Sequence, residues 1–271
     1  MSTPISSMNY TTGYWTECKQ HMVSKKLNVV GVIQARTGSS RLPGKVLLPL
    51  AGRSVLAWVV RAARDCGVDR LVVATTTEPG DDAVVEECHT IGVEVVRGPA
   101  HDVLDRFVLA LDAQTADGYA ADAVARFTAD CPLLDPAVAG AVIEAWRQMP
   151  ELDYVSTALP HSVPRGMDAE VVRADTLRAV ATTATGHDRV HVTSAVYGSD
   201  RYRLLGLRFH PDASDLRVTL DTPDDWRAIQ AIVAALGDRP AVLHDVVGWL
   251  RAHPEAVEVN RHVRQKPLEA G

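Results

Sequence analysis

The sequence predicts an α/β protein in which a doubly wound, mostly parallel sheet carries helices on both faces. Between residues 28 and 149, short apolar runs rich in valine alternate four times with loops and helical patterns. Continuous apolar runs are typical of strands buried on both faces, and their alternation with helices produces parallel sheets. The loops that follow the runs should therefore gather at the carboxyl edge of the sheet, where such folds bind ligands.

The first half of the chain supplies the four repeated units. The predicted strands are 28–34, 71–75, 93–96 and 123–128. The predicted helices are 54–66, 81–91, 102–114 and 135–149. Ser54 is a suitable cap for the first helix, and Gly67 and Gly92 follow the ends of the first two. Asp135-Pro136 combines a capping carboxylate with proline in the first turn of the fourth.

The second half is less regular, and no linker separates it from the first. The predicted strands are 153–156, 169–172, 202–209 and 216–220, with a loop at 160–168. The predicted helices are 175–184, 187–197, 224–236 and 242–253. We therefore expect one domain over residues 27–260. It should lie between an N-terminal extension at 1–26, expected to be disordered, and a tail at 261–271.

Composition and charge exclude several classes of protein. The 271 residues carry 28 Lys and Arg against 34 Asp and Glu, a formal net charge of −6. With no basic cluster in addition, we expect no nucleic-acid partner. No apolar run approaches the ~20 residues of a membrane span. The four cysteines form no C-x-x-C pair and no signal-peptide pattern precedes them, which predicts reduced thiols in a cytoplasmic protein.

Lysine is rare in the body of this chain. Arginine occurs 23 times but lysine only five times, and Lys45 is the sole lysine between Asn28 and Asn260. A lysine side chain is a compact point charge on a flexible stem, whereas arginine suits planar contacts. Lys45 is therefore a candidate for contact with a ligand. Chance also produces such a distribution, so the surroundings of Lys45 must decide.

Lys45 ends a loop, residues 34–45, whose sequence is QARTGSSRLPGK. Small residues allow backbone N–H groups to approach an anion, and Arg36, Arg41 and Lys45 supply positive charge, as in a phosphate-binding loop. It is not a Walker A loop, because serine stands at 39 where that motif requires glycine, and valine follows the lysine. The absence of G-x-G-x-x-G disfavours a dinucleotide-binding fold. The simpler alternative is a glycine-rich turn with solvated charges.

This loop and a series of later segments resemble the cytidylyltransferase superfamily, whose members include CMP-sugar-acid synthetases. The resemblance begins at IQARTGSSRLPGKVLLPLAG and covers about residues 28–235, and the most similar branch is that of spore coat polysaccharide biosynthesis protein F-like proteins. The later segments are VVATTTEPGDDAV at 72–84, RG and DVLDR within 97–106, ADCPLLDP at 129–136, PRGMDAEV at 164–171, HDRVHVT at 187–193 and VTLDTPDDW at 218–226. Such an ordered series is far more specific than a single loop.

The resemblance implies a GT-A-like, Rossmann-like fold and a reaction that joins CTP to an acceptor and releases pyrophosphate. It divides the domain into a nucleotide-binding half at 27–150, an acceptor-side and dimerisation insertion at 151–215, and a return to the core at 216–260. Because members of the superfamily commonly dimerise through this insertion, we expect a homodimer.

Matched position by position, the resemblance also implies the nucleotide-binding residues. They are Ala35, Arg36, Gly38, Ser39, Ser40, Arg41, Lys45, Ala74, Thr75, Asp105 and Arg106. Arg36 and Lys45 would hold the triphosphate. Ala74 and Thr75 would lie along the cytosine, and Asp105-Arg106 near the base or the ribose.

The implied catalytic residues are Arg36, Lys45, Asp130 and Asp221, and the two aspartates would bind Mg²⁺. Each aspartate follows a predicted strand. Carboxylates that converge from two strand ends suit Mg²⁺, which takes one or two carboxylates together with phosphate oxygens. Each also has an ordinary alternative, because Asp221-Thr222-Pro223 is typical of a capped helix start and Asp130-Cys131-Pro132 of a turn.

Segment 157–193 holds a dense polar set that the resemblance places on the acceptor side. The implied acceptor-binding residues are Arg165, Asp168, Glu170, His187, Arg189 and His191. Arg165 and Arg189 suit an anionic acceptor, although surface ion pairs explain them equally well. His187 and His191 lie one helical turn apart, which fits acceptor contact or a dimer contact. A metal fits less well, because the H-E-x-x-H motif is absent.

Two positions depart from the pattern of the superfamily. Ala129 replaces the usual glycine before Asp130, and we expect its methyl group to crowd the approach to a metal. Val190 stands where many members carry glutamate. Because this change falls on the acceptor side, the acceptor stays open between a nonulosonic acid, another carboxylated or phosphorylated sugar, and a hydroxyalkyl phosphonate.

Two other classes of function compete with this interpretation. A GT-A glycosyltransferase that uses a nucleotide sugar would need a D-x-D metal motif at a strand end, and Asp130-Cys131-Pro132 is not one. A nucleotide-binding regulatory protein without turnover would have no need for the four implied catalytic residues together. We therefore expect a Mg²⁺-dependent cytidylyltransferase.

Overall fold

The structure, a computed structural model, describes residues 26–265. These residues form nine strands: β1 (Val29–Gln34), β2 (Pro49–Leu50), β3 (Arg53–Ser54), β4 (Arg70–Thr76), β5 (Glu94–Gly98), β6 (Ala123–Thr128), β7 (Tyr154–Ser156), β8 (Glu170–Arg173) and β9 (Leu204–Gly206). They also form the helices α1 (Val55–Asp65), α2 (Asp82–Thr90), α3 (Val103–Ala116), α4 (Pro136–Gln148), α5 (Ala174–Ala181), α6 (His187–His191), α7 (Ser194–Tyr197), α8 (Pro223–Leu236), α9 (Leu243–Ala252) and α10 (Pro254–Glu258). Short 3-10 turns occupy Lys45–Leu47 and Pro79–Asp81.

Seven strands form one mixed sheet in the order β5-β4-β1-β6-β8-β7-β9. β5, β4, β1 and β6 run parallel, β8 is antiparallel to both of its neighbours, and β9 is parallel to β7. β2 and β3 form a separate hairpin. The predicted doubly wound, mostly parallel sheet is confirmed, and the carboxyl ends of β1 and β6 lie side by side.

Helices cover both faces of the sheet. The side chains of β1 point alternately to the two faces and pack against different helices on each. Val29 and Ile33 pack with α1, α2 and α4 on one face. Val30 and Val32 pack with α3 and α5 on the other. A third apolar cluster joins α8 and α9 to Trp58 of α1. Because β1 is buried on both faces, the loop that follows it starts from a fixed point.

The four strands and four helices predicted in the first half lie within two residues of their predicted ends, whereas the hairpin strands β2 and β3 were not predicted. The predicted caps explain this agreement. The hydroxyl of Ser54 accepts a hydrogen bond from the backbone N–H of Ala57 at 2.9 Å. The carboxylate of Asp135 accepts one from the N–H of Ala137 at 2.7 Å. Each cap satisfies a donor that the start of a helix leaves without a partner.

The second half departs from the prediction in several places. The predicted helix 187–197 is two short helices, because Val192 between them adopts a φ of 65° with its side chain fully buried. The predicted strand 202–209 pairs only over Leu204–Gly206. α10 has no counterpart among the predicted helices, since five residues are too few to show a helical period.

The predicted strand at 216–220 is wrong. These residues are extended, but they run between two loops instead of along a neighbouring strand. The backbone of Arg165 exchanges two hydrogen bonds with this segment, at 2.9 and 2.7 Å. The N–H of Leu220 donates to the carbonyl oxygen of Asp130 at 2.8 Å. The segment therefore places Asp221 beside Asp130 without forming a strand.

The N-terminal extension expected at 1–26 lies outside the described residues except for Lys26, as do residues 266–271 of the expected tail. Within the part of the chain that the structure describes, no helix is both long enough and apolar enough to cross a membrane.

Gly166 fixes how the loop before β8 meets the segment that leads to Asp221. Its φ is 104°, a conformation that side chains other than glycine rarely adopt. A Cβ atom at this position would lie 2.4 Å from the backbone nitrogen of Thr219. The close contact between the two backbones therefore requires glycine.

We expect Gly166→Ala to lower the free energy of unfolding by about 2 kcal/mol or more, through backbone strain and overpacking. Chemical denaturation measures this change. The matched control is Gly248→Ala in α9, where a Cβ atom would meet nothing within 4 Å. That variant should gain about 0.5–1 kcal/mol, because alanine loses less entropy than glycine in a helix. A Gly166→Ala variant as stable as the wild type would contradict the packing described here.

Candidate active site

One pocket of about 740 Å³ lies at the carboxyl edge of the parallel strands. It is lined by the loop after β1, the turn after β6, parts of residues 158–170 and 190–197, the segment that ends at Asp221, and residue 265. The topology brings these stretches together because β1 and β6 are neighbours in the sheet. A pocket of this size is typical of sites for small molecules.

The loop after β1 curls around the backbone of Thr37. The carbonyl oxygen of Thr37 accepts hydrogen bonds from the N–H groups of Ser39 at 2.8 Å and Gly44 at 2.9 Å. Asp81, which ends the 3-10 turn after β4, accepts from both the N–H and the hydroxyl of Thr37, each at 2.7 Å. The other carboxylate oxygen of Asp81 binds the hydroxyl of Thr76. Asp81 therefore anchors the loop to β4, a role that the sequence analysis misses.

Lys45 joins the two aspartates that are predicted to bind metal. Its ammonium nitrogen donates to Asp130 Oδ2 at 2.7 Å, to Asp221 Oδ1 at 2.8 Å and to the carbonyl oxygen of Leu220 at 2.6 Å. Only 7% of the residue is exposed. Burial pushes the pKa of Lys45 downward, but the two carboxylates outweigh it and hold the pKa above its ordinary value. Lys45 is therefore a buried cation between two acids.

Asp221 is held by two arginines in addition to Lys45. Its Oδ2 atom lies 3.0 Å from Arg41 Nη2 and 2.9 Å from Arg217 Nη2. Burial raises the pKa of Asp221, but Lys45 and Arg41 outweigh it, so the pKa lies below its usual value. Both carboxylate oxygens of Asp221 are thus engaged with cations.

The donor set at this point fits a divalent cation that prefers oxygen. Lys45 Nζ contacts both Asp130 and Asp221, so the two carboxylates lie close enough to hold one ion. A metal bound by both would have to displace contacts that Lys45, Arg41 or Arg217 now makes with Asp221. Asp130 Oδ1 is available, since the contact found for it is the Cys131 thiol at 3.6 Å. Residues 26–265 contain no group of three His, Cys, Asp or Glu side chains that would hold a metal by themselves. Mg²⁺ would therefore take its other ligands from phosphate oxygens and water, as it usually does.

Most of the predicted nucleotide-binding residues line the pocket. They are Ala35, Arg36, Gly38, Ser39, Ser40, Arg41, Lys45 and Arg106. Ala74 and Thr75 are not brought there, because they lie fully buried inside β4, between β1 and β5. Asp105 is not brought there either. It lies in the first turn of α3, where its N–H donates to the capping carboxylate of Asp102 at 2.9 Å.

Two arginines on the nucleotide side have no acidic partner among the described residues. Arg36 is exposed at the pocket and makes no hydrogen bond or ion pair within residues 26–265. Arg106 is buried, and its Nη1 donates to the carbonyl oxygens of Pro99 at 2.6 Å and Ala100 at 3.2 Å. Burial and the charge of Arg36 lower the pKa of Arg106 to about 10. Arg36 is therefore open to a negatively charged ligand, whereas Arg106 lines the pocket from a buried position.

The acceptor side divides the predicted residues into two groups. Those that line the pocket are Arg165, Asp168, Glu170 and His191. Arg189 does not line it, because its Nε donates to Asp102 at 2.6 Å and its Nη1 to the carbonyl oxygen of Ala181 at 2.7 Å. It fastens α6 to the start of α3. His187 also lies away from the pocket, half exposed and 3.3 Å from Asp188.

Glu170 belongs to a polar network that the sequence analysis misses. One carboxylate oxygen binds Arg126, and the other accepts from the hydroxyls of Tyr154 at 2.7 Å and Thr193 at 2.6 Å. Burial lowers the pKa of Arg126, but Glu170 outweighs it and keeps the pKa above its usual value. Arg126 also donates to the side chain of Gln34 at 3.2 Å. The sequence did contain a signal for this network, because Gln34 and Arg126 are polar residues near the ends of apolar strands.

Among the predicted acceptor-binding residues, Arg165 presents an exposed guanidinium group to the pocket. Its side chain is exposed at the pocket and has no hydrogen-bond or ion-pair partner in the described part of the chain. Nearby in the chain, Asp168 lies 2.6 Å from His161 Nε2 and accepts from the N–H of Gly166 at 3.2 Å. Asp168 is therefore already engaged, whereas Arg165 is free to meet an anion.

Comparison with known proteins identifies the family. The family model for cytidylyltransferases matches residues 30–192. The spore coat polysaccharide biosynthesis protein SpsF of Bacillus subtilis is 31% identical over 241 residues, which cover 84% of this chain and 96% of that protein. The 3-deoxy-manno-octulosonate cytidylyltransferase of Acidobacterium capsulatum is 32% identical over 185 residues, 68% of this chain and 70% of that enzyme. The chain therefore belongs to the cytidylyltransferase family, whose members are nucleotidyltransferases.

The fold agrees with this assignment. A cytidylyltransferase structure from Leptospira borgpetersenii superposes with a TM-score of 0.79 at 24% identity, over 89% of this chain and 100% of that one. At this identity the likeness establishes the fold alone. The predicted resemblance to the superfamily, including its spore-coat branch, is confirmed by the family and sequence matches.

The anchoring of the loop after β1 by Asp81 predicts a pH dependence. Burial raises the pKa of Asp81, but hydrogen bonds from Thr76 and Thr37 outweigh it and hold the pKa below its ordinary value of 3.8. A carboxylate with a lowered pKa in the folded state stabilises the fold above its unfolded pKa, and this contribution is lost as the pH falls through the folded value. From about pH 5 to pH 3, the wild type should therefore lose free energy of unfolding more steeply than Asp81→Asn.

Urea denaturation at each pH measures the difference. Asp200→Asn is the matched control, because Asp200 is exposed and has no hydrogen-bond partner among the described residues. It should follow the wild type over the whole range. Parallel curves for the wild type and Asp81→Asn would show that Asp81 does not anchor the loop through its charge.

Proposed function

We propose that this protein is a Mg²⁺-dependent cytidylyltransferase that transfers CMP from CTP to an anionic acceptor and releases pyrophosphate. One observation carries the proposal: the loop after β1 delivers Lys45 to a point between Asp130 and Asp221, inside a pocket whose other side holds Arg165, which has no acidic partner among residues 26–265. Membership of the cytidylyltransferase family supports CTP as the donor.

The triphosphate would bind at the loop after β1. Gly38, Ser39 and Ser40 line the pocket there, and short side chains let backbone N–H groups approach phosphate oxygens. Arg36 and Lys45 supply positive charge at the two ends of the loop. When the acceptor oxygen forms its bond to the α-phosphorus, the bond to the bridging oxygen breaks and negative charge grows on pyrophosphate. Fixed cations stabilise that charge without reorganising.

Asp130 and Asp221 would hold Mg²⁺, which supplies charge neutralisation at phosphate oxygens when bound. The protein contributes position and a fixed charge distribution, as is general in phosphoryl transfer. Ala129, expected to crowd this point, is buried and packs within the apolar core while it also lines the pocket.

The acceptor side supports an anionic acceptor. Arg165 has no acidic partner within residues 26–265, whereas the charge of Arg126 is matched by Glu170. A carboxylate, phosphate or phosphonate group would fit such a site, since arginine binds each of them in a bidentate manner. The similarity to a 3-deoxy-manno-octulosonate cytidylyltransferase favours a sugar acid as the first acceptor to try. On the basis of the resemblance, we also propose that the protein is cytoplasmic and forms a homodimer through residues 151–215.

The proposal predicts selective binding of CTP in the absence of any acceptor. Isothermal titration calorimetry with CTP, UTP, ATP and GTP, each with and without MgCl₂, measures it. We expect CTP to bind, and Mg²⁺ to strengthen its binding. The reason is that Mg²⁺ needs more oxygen ligands than the two carboxylates provide, and the triphosphate supplies them. Preference for UTP or for a UDP-sugar would move the function to sugar transfer. Absence of binding by all four nucleotides would contradict the proposal.

A second prediction concerns Lys45. We expect Lys45→Ala to lower kcat by at least ~100-fold, the scale of removing one donor that stabilises charge in the transition state. Pyrophosphate release with the acceptor found in a screen of sugar acids measures the rate. Lys26→Ala is the matched control, because Lys26 also pairs with an aspartate, Asp69 at 2.6 Å, but its side chain is 77% exposed. A nearly normal rate for Lys45→Ala would remove Lys45 from the mechanism.

A further inference from the structure

The C-terminal segment, residues 259–265, follows α10 and runs back to the pocket, which Gln265 lines. Asn260 anchors the segment and is 3% exposed. Its side-chain nitrogen donates to Asp225 Oδ1 at 2.9 Å and to the carbonyl oxygen of Arg217 at 3.3 Å. The segment is therefore fastened from the interior of the protein.

Asp225 is a fully buried carboxylate that collects donors from several directions. Arg217 Nε lies 2.8 Å away and the nitrogen of Asn260 2.9 Å away. The N–H groups of Asp221 and Thr222 donate at 3.0 and 2.9 Å. Burial raises the pKa of Asp225, but Arg217 outweighs it and keeps the pKa below its usual value. A buried charge of this kind is stable only while its partners stay in place.

Arg217 connects this buried carboxylate to the site. Its Nη2 donates to Asp225 at 3.1 Å and to Asp221 Oδ2 at 2.9 Å, and its Nη1 donates to Gln265 Oε1 at 3.4 Å. A guanidinium group is planar, and its donors point in fixed directions. Holding Nε and Nη2 on Asp225 therefore fixes where Arg217 meets Asp221.

The end of the C-terminal segment also contacts the loop after β1. The carbonyl oxygen of Arg264 accepts from Arg41 Nη1 at 3.2 Å, and Arg41 Nη2 lies 3.0 Å from Asp221 Oδ2. Both arginines that hold Asp221 thus also contact the C-terminal segment. The match to the family model ends at residue 192, so this part of the site lies outside it.

We propose that Asn260 and Asp225 are positioning residues of the nucleotide site, which act on Asp221 through the guanidinium group of Arg217. The inference rests on the proposed function, in which Asp221 contacts Mg²⁺ together with CTP. It makes the C-terminal segment a part of the active site, although Asn260 itself touches neither metal nor nucleotide.

The test is calorimetric titration of CTP into the full-length wild type and Asn260→Ala, with and without MgCl₂. The substitution removes a neutral donor and leaves every charge of the network in place. We expect the affinity for CTP in the presence of Mg²⁺ to fall about tenfold, the lower end of the range for residues that orient a metal ligand. The affinity without Mg²⁺ should change less than about twofold, because the loop after β1 is unaltered.

Arg217→Lys is a second variant, in case Asn260→Ala does not fold. Lysine keeps the charge but lacks the planar fork that binds Asp225 and Asp221 together, so the same selective loss is expected. Arg261→Ala is the matched control. Arg261 follows Asn260 directly but is exposed and pairs with Glu258, so both affinities should equal those of the wild type.

The outcomes separate the inference from the proposed function. Unchanged affinities in Asn260→Ala and Arg217→Lys would overturn the inference and leave the proposed function intact. Equal losses with and without Mg²⁺ would assign Asn260 a general structural role and would also overturn it. A wild type that binds CTP without any effect of Mg²⁺, or does not bind CTP, would overturn the proposed function and the inference with it.

Discussion

The contact on which the site depends is the ammonium group of Lys45, which binds Asp130 and Asp221 at once. These aspartates lie 85 and 176 residues further along the chain. Two carboxylates this close repel each other in a partly buried site, and a cation between them converts the repulsion into attraction. Lys45 therefore stabilises an arrangement of charges that would otherwise push two segments of the chain apart.

The course of the backbone places Lys45, Asp130 and Asp221 near one another. The parallel pairing of β1 and β6 places the loop that ends at Lys45 beside the turn that carries Asp130. Asp221 arrives by a different route, on an extended segment whose Leu220 N–H donates to the carbonyl oxygen of Asp130. Gly166 permits that segment to approach. The backbone contact at Gly166 thus helps to set the position of the Asp221 carboxylate.

How much could be predicted from the sequence depended on the range of the interactions. β1 and β6 were predicted correctly because burial on both faces leaves a local pattern of apolar residues. Residues 216–220 share that pattern, but whether an extended run pairs with a strand is decided by distant parts of the chain. Lys45 stood out by its residue type. Arg189 did not line the pocket as expected, because the docking of α6 on α3, rather than any local signal, decides which acid it meets.

The arginines in and around the pocket fall into two groups, according to whether a carboxylate pairs with them. Arg126, Arg189 and Arg217 each pair with a carboxylate and hold protein segments in place, while Arg36, Arg106 and Arg165 have no carboxylate partner in the described structure. A planar guanidinium group serves both purposes, since its donors lie in one plane. At Lys45, however, three oxygens from two parts of the chain approach one cation. An ammonium group, with three donors around a single atom, satisfies them where a planar fork does not. This requirement accounts for a lysine at position 45, within a stretch from Asn28 to Asn260 that otherwise uses arginine.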